Sequence, residues 1–199
     1  MTIAVTGPFA SGKSTFVRFL GDQGAETVSA DEIVHDLLTG DEQTISRVAE
    51  RFGEDVLGES GVDRRTLGRK VFGDPEALRD LENILHPLVL RETERRVAAS
   101  EAELFVAEVP LLFEGQSNAD YDYSVAVTVP EERRRAWAAE RGVDVGALRA
   151  IEARQLPQEE KARLADVVVQ NDGDVDKLRE QAEELKERSL SGSLFQQEE

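Results

Sequence analysis

The chain contains no cysteine, two histidines and one methionine. The first absence excludes a disulfide framework and a thiolate metal site. With only His35 and His86 available, a histidine-rich zinc site is excluded too. Apolar runs long enough to span a membrane are missing, and residues 1–7 carry no basic segment, so a soluble, cytoplasmic protein is expected. Lysine is scarce, five of the 24 basic residues, the rest being arginine. Against these stand 41 acidic residues, for a formal charge of −17. Such a chain repels the phosphate backbone of extended nucleic acid, which is therefore not expected among its partners. Acid excess with little lysine fits a salt-rich habitat, and high-GC codon usage would favour arginine as well.

What is present points to an α/β fold. The 199 residues are 40% apolar, enough for the core of one domain with an inserted subdomain or lid. Thr2 to Thr6 is a short β-branched run, Ser14 to Leu20 reads as a helix, and Glu26 to Ser29 reads as a second strand. This order of strand, loop, helix and strand suggests a largely parallel sheet. Residues 31–99 read as almost wholly helical, too long for a simple crossover and so a helical insert. Within it a long pattern starts after Asp74, with Pro75 in the first turn, and Pro87 is expected to kink or divide it. Leu104 to Val109, Ser124 to Val129 and Val167 to Val169 are further strands. Two helical segments are expected between Pro130 and Leu164, and a last helix from Asp174 to about Arg188, with a frayed tail over 191–199.

The segment Gly7-Pro8-Phe9-Ala10-Ser11-Gly12-Lys13-Ser14 fits G-x-x-x-x-G-K-[ST], with a strand before it and a helix after it. Glycines let backbone N–H groups turn inward around phosphate oxygens, and the helix N-terminus adds partial positive charge. Lys13 is placed to reach the outer phosphates and the Ser14 hydroxyl to bind Mg²⁺, so nucleotide binding is expected.

The motif alone leaves small-molecule kinases, GTPase switches, mechanical ATPases and non-catalytic nucleotide sensors open. A guanine-specific switch carries Asn-Lys-x-Asp after a late strand. Here that strand runs into Gln170-Asn171-Asp172-Gly173-Asp174, which lacks the lysine. A motor ATPase needs more chain. A helical insert and a late arginine-rich segment suit a small-molecule kinase, whose lid excludes water. Asp31 follows the second strand, at the carboxyl edge where ligands of open α/β sheets bind. It is the candidate general base, and a helix N-cap is its other reading.

At this point the chain resembles the dephospho-coenzyme A kinase family, over nearly its whole length to about residue 185. The residues that carry the resemblance are Thr6-Gly7 with Ser11 to Thr15, Ala30 to Leu38, Asp63 to Leu67, Leu85 to Leu88, Val109 to Glu114, Gln155 to Lys161, and Ala165-Asp166 with Asn171 to Gly173. The resemblance implies a P-loop kinase-like three-layer fold, with core 1–31, 100–130 and 161–190, helical acceptor insert 32–99 and lid 131–160. It implies ATP-dependent phosphorylation of the ribose 3′-hydroxyl of dephospho-CoA, with ATP and Mg²⁺ required. ATP would be held by Gly7, Ala10, Ser11, Gly12, Lys13, Ser14, Thr15, Arg141 and Asn171; Asp31, Lys13 and Arg141 would be catalytic. Three positions depart from the family's usual pattern: Ser29 stands where an aspartate is usual, Glu108 replaces aspartate, and Ile151 replaces an arginine.

Other candidates carry two readings each. Glu108 ends a strand, where it could join Ser14 at the metal or cap the next turn. His35, one turn after Asp31, could orient that carboxylate or be a solvated helix histidine. His86 could touch substrate or cap a broken helix end, and Glu114 could contact substrate or cap a helix. Leu112, with Leu111 and Phe113, reads as packing, in a loop the resemblance places beside the acceptor. Arg65, with Arg64, Arg69 and Lys70, could meet a diphosphate. In the lid, Arg133, Arg134, Arg135, Arg141, Arg149 and Arg154 read singly as solvated, but as a set should supply a phosphate contact, and Arg163 joins them among the cations assigned to phosphate handling. Lys161 could hold the lid or make a surface ion pair, and Trp137 reads as lid packing. With the P-loop these cations predict a localised positive cleft on an acidic chain. The oligomeric state is left open.

Overall fold

A computed structural model describes residues 1–71, 73–114 and 121–192. It divides into two compact units, Met1–Val28 with Ser100–Glu199, and Ser29–Ala99.

The first unit holds strands β1 (Thr2–Thr6), β2 (Glu26–Ser29, up to Val28), β5 (Phe105–Glu108), β6 (Tyr123–Thr128) and β7 (Val167–Gln170). Their order is β2-β5-β1-β6-β7. β1 pairs in parallel with β5 and β6, and β6 with β7. Side chains alternate across the sheet. Ile3, Val5, Val106, Val125, Val127 and Val169 form one face, packed with Phe16, Val17, Phe19 and Leu20 of α1 (Lys13–Asp22) and Leu178, Ala182 and Leu185 of α9 (Val175–Leu190). Phe16 is fully buried, which contributes about 2 kcal/mol. The alternate positions Ala4, Thr6, Ala107, Ser124 and Ala126 are small and also buried. Between β6 and β7 lie three helices, α6 (Glu131–Glu140), α7 (Val145–Glu152) and α8 (Gln158–Leu164), not the two expected. The turn at Gly142, with φ at 74°, separates α6 from α7, and Asp144 caps α7 by accepting from the Ala147 N–H at 2.8 Å.

The second unit contains α2 (Ala30–Gly40), α3 (Glu42–Phe52), a 3-10 turn (Glu54–Val56), the hairpin β3 (Leu57–Gly58) and β4 (Gly61–Val62), α4 (Arg64–Val71) and α5 (Pro75–Ala99). Its core gathers Leu38, Val48, Phe52, Val56, Val62, Leu67, Ile84 and Leu85. The hairpin is a short non-helical part of a segment expected to be almost wholly helical. Gly61 sits at φ 104°, and a Cβ there would lie 2.4 Å from the Leu38 carbonyl oxygen, so the chain turns back against α2 only with glycine at that position. Of the two outcomes expected at Pro87, division does not occur, since α5 continues through it. Burial of Ile84 and Leu85 just before the proline offsets the missing N–H. Ser29, not Asp31, caps α2: its hydroxyl accepts from the Asp31 N–H at 3.2 Å, while Glu32 accepts from the Ser29 N–H at 3.3 Å.

On α5 Glu92 accepts from Arg95 at 2.7 Å and from Arg96 at 2.8 Å, and these guanidiniums hold its carboxyl down at about 2. A carboxylate with a lowered folded pKa stabilises above its ordinary value and loses that contribution as pH falls through the folded one. Glu92→Gln should therefore lower stability near pH 7 by about 1 kcal/mol or less, the pairs being open to solvent. The deficit should shrink from 4.5 down to about 2, which urea melts across that range would read. No helix among the described residues is long and apolar enough to cross a membrane.

Candidate active site

The loop joining β1 to α1 is shaped by contacts that other residues would obstruct. A Cβ on Gly7 would stand 2.3 Å from the Val127 carbonyl oxygen, and one on Gly12 would stand 2.3 Å from Asn171 Nδ2. Gly12 has φ 91°, and Ala10 at φ 60° is the one non-glycine residue with positive φ among those described. Asn171, which follows β7, donates from Nδ2 to the Ser11 carbonyl at 2.9 Å and from its N–H to the Thr128 carbonyl at 2.8 Å. The ends of β6 and β7 thus fix the floor of the loop. Ser11 Oγ is buried without a hydrogen-bond partner. Unlike α2, α3, α7 and α9, α1 starts with neither a side-chain cap nor an acidic first turn, leaving its first N–H groups for an anion.

Three charged or polar side chains surround that helix start. Lys13 is buried and donates to the Pro8 carbonyl at 2.9 Å. Ser14 is exposed and donates to Glu108 Oε1 at 2.9 Å. Glu108 ends β5 beside β1, with Val5 as its register partner, so neighbouring strands deliver the hydroxyl and the carboxylate to one edge. Two hard oxygen donors beside a phosphate loop fit Mg²⁺, which takes few protein oxygens and fills its shell with phosphate oxygens and water.

The stretch Gln155 to Lys161 returns from α7 into α8 and meets the phosphate loop at Phe9, the end of β6 at Val129 and the loop after β5. Gln155 Oε1 accepts from the Phe9 N–H at 3.0 Å, and Gln158 Oε1 accepts from the Val129 N–H at 2.8 Å. Glu114 Oε1 accepts from the Leu156 N–H at 2.7 Å, and the Lys161 ammonium lies 2.7 Å from the same oxygen while donating to Oε2 at 3.0 Å. Burial pushes the Lys161 ammonium below its ordinary pKa, against the pull of Glu114. A cavity of about 300 Å³ lies alongside, lined by Pro8, Val129, Arg134, Glu152, Gln155 and Leu156 among others. Both glutamines belong to quoted motif residues but drew no role from the sequence. Side-chain amides that satisfy backbone N–H groups of remote loops leave no periodic signal.

The structure gathers Gly7, Ala10, Ser11, Gly12, Lys13, Ser14, Glu108 and Asn171 in one place. Thr15 follows Ser14 in the first turn of α1. Arg141, just past α6, is exposed with its guanidinium 5.9 Å from the centre of the Phe9 ring. Leu112 is fully buried, and both Glu114 oxygens already accept hydrogen bonds. In the second unit Asp31 lies exposed in the first turn of α2, and no hydrogen bond joins its side chain to that of His35, which is also exposed. Arg65 and His86 are exposed on α4 and α5.

Not every cation of the expected positive cleft offers its charge to solvent. Lys161 is fully buried against Glu114, and Arg134, mostly buried, lies 2.6 Å from Glu152; Arg135 pairs with Glu131 and Arg163 with Glu160, but both stay largely exposed. Lys70 is tied to Asp55 at 2.7 Å and to the Phe52 carbonyl at 2.6 Å. Arg133 donates to the Gly173 carbonyl and lies over Trp137, which packs with Phe9 and Val143 against Ala10, Ala138 and Leu148.

Comparison with known proteins agrees with this geometry. A sequence model of the dephospho-CoA kinase family matches residues 1–177. The dephospho-CoA kinase of Carboxydothermus hydrogenoformans is 40% identical over 185 residues, spanning 90% of this chain and 89% of that protein. The crystal structure of TT1252 from Thermus thermophilus superposes with a TM-score of 0.79 at 32% identity, covering 94% of this chain and 97% of its own. The dephospho-CoA kinase from Campylobacter jejuni does so with a TM-score of 0.70 at 26% identity, covering 96% and 98%. This chain belongs to the dephospho-CoA kinase family.

Proposed function

We propose that this protein transfers the γ-phosphoryl group of ATP to the ribose 3′-hydroxyl of dephospho-CoA, giving CoA, in the cytoplasm. The observation that carries the reading is the Ser14–Glu108 pair, 2.9 Å apart at the mouth of a complete phosphate loop, in a chain matched by the family model over residues 1–177.

The phosphates bind the loop N–H groups between Gly7 and Thr15, with Ala10 and Ser11 at its turn and Asn171 holding its floor. Lys13 leaves the Pro8 carbonyl for the β- and γ-phosphates, exchanging one oxygen acceptor for a charged one. Ser14 and Glu108 hold Mg²⁺, which when bound neutralises charge on the transferring phosphoryl group. Asp31 accepts the 3′-hydroxyl proton; its place just beyond the end of β2 and its open carboxylate support this role. Arg141 moves from its stacking position on Phe9 to the phosphates as the lid closes, where its charge acts with water excluded. On the acceptor side His35, Arg65 and His86 contact the substrate, and Leu112 and Glu114 shape the loop beside it.

A coupled assay with ATP and Mg²⁺, offering dephospho-CoA, AMP and shikimate in parallel, tests the reading. Turnover with dephospho-CoA alone is expected. ATP binding without CoA formation would overturn it.

A further inference from the structure

Lys161 is fully buried, an unusual place for an ammonium, and the phosphate chemistry above makes no use of it. Its hydrogen bonds run to two other pieces of chain, the end of β1 and the loop after β5. It donates to Glu114 Oε2 at 3.0 Å, to the Pro110 carbonyl at 2.8 Å and to Thr6 Oγ1 at 3.5 Å. Thr6 in turn donates to the Pro110 carbonyl at 3.2 Å. Thr6 is the residue before Gly7, and Pro110 lies two residues after Glu108, so one ammonium ties the strand entering the phosphate loop to the strand bearing the Ser14 partner. Glu114 carries the tie into the lid's return segment through the Leu156 N–H, and that segment reaches the phosphate loop again through Gln155 and Phe9.

Packing alone does not call for a lysine here. A methionine would fill much the same space without desolvating a charge. What the ammonium supplies is a set of directed bonds that fix several segments in one relative placement. We propose that Lys161 is a positioning residue for phosphoryl transfer, pinning the lid's return segment, the loop after β5 and the end of β1 in the one arrangement from which the lid closes productively. The proposal rests on the kinase reading above.

Lys161→Met alone leaves Glu114 without its counter-charge and is expected to lose stability. Lys161→Met combined with Glu114→Gln removes both charges, while the glutamine can still accept from the Leu156 N–H and Thr6 still donates to the Pro110 carbonyl. The double variant should recover the wild-type melting temperature and bind ATP as the wild type does. Its kcat should nevertheless be about 10²-fold lower, the size of loss that a misplacement near 1 Å brings. Trp137, the sole tryptophan, sits in the lid and reports its movement. Its emission should respond to ATP with Mg²⁺ in the wild type and lose that response in the double variant at saturating nucleotide. A double variant that turns over like the wild type and keeps the Trp137 response would overturn the proposal, reducing the pair to a replaceable packing element. Should the wild type form no CoA, the kinase reading falls, and the Trp137 comparison alone decides whether Lys161 positions the lid.

Discussion

Asp31→Asn is expected to lower kcat by about 10³-fold, within the range for loss of a general base, and to leave ATP affinity unchanged. Asparagine has the same shape but cannot accept a proton from a hydroxyl, so the change removes chemistry and little else. The local structure makes this a clean test. Had Asp31 been the cap of α2, its replacement would have loosened the helix and mixed folding with catalysis. Ser29 performs that task instead, bonded to the Asp31 N–H at 3.2 Å and paired with Glu32 in a capping box. Asp31 contributes to α2 only as a negative charge in the first turn, worth about 0.3–1 kcal/mol. Thermal melts should therefore shift by a few degrees at most, while single-turnover rates collapse. Retained turnover would remove Asp31 from the role of base and return the search to the other carboxylates of the chain.

The parts of the molecule readable from sequence are those set by neighbours in the chain. The phosphate loop needs two glycines and a lysine at fixed spacing, and each β-branched run of the sheet stops at its own turn, so both were legible residue by residue. The cap of α2 was written there too, in Ser29 and Glu32 three residues apart, although Asp31 drew attention away from it. The same serine is one departure from the family's usual pattern, and it keeps the helix capped as an aspartate would. Glu108 accounts for another: the longer side chain still meets Ser14 at 2.9 Å. What was not legible depends on residues far apart. Lys161 and Glu114 are 47 positions apart, and Gln155 and Phe9 are 146 apart. A lysine following two glutamates in a helix gives the pattern of a solvated face whether it is exposed or, as here, fully buried. The undivided helix at Pro87 and the short β3–β4 hairpin were not legible for the same reason, because tertiary packing outweighs local propensity there.

Gly12→Ala should abolish useful nucleotide binding, raising the ATP dissociation constant by about 10²-fold or more. Two costs coincide at this position. The residue caps α1 with φ 91° and ψ 12°, a left-handed conformation that costs an alanine about 1–2 kcal/mol. The new Cβ would also fall 2.3 Å from Asn171 Nδ2, which must withdraw and give up its bond to the Ser11 carbonyl. Losing that buried bond costs about 1–3 kcal/mol, and each 1.4 kcal/mol that falls on the bound state is about tenfold in affinity. The loop N–H groups lose their alignment at the same time, so the effect should appear in binding before it appears in the chemical step. Asn171→Ala alone separates the two costs, because it gives up the same bond to the Ser11 carbonyl while Gly12 keeps its left-handed conformation without strain. That variant should bind ATP less tightly than the wild type but more tightly than Gly12→Ala. If calorimetry finds the two equally weak, the lost bond carries the whole effect, and the backbone conformation of Gly12 contributes nothing to excluding a side chain at this position.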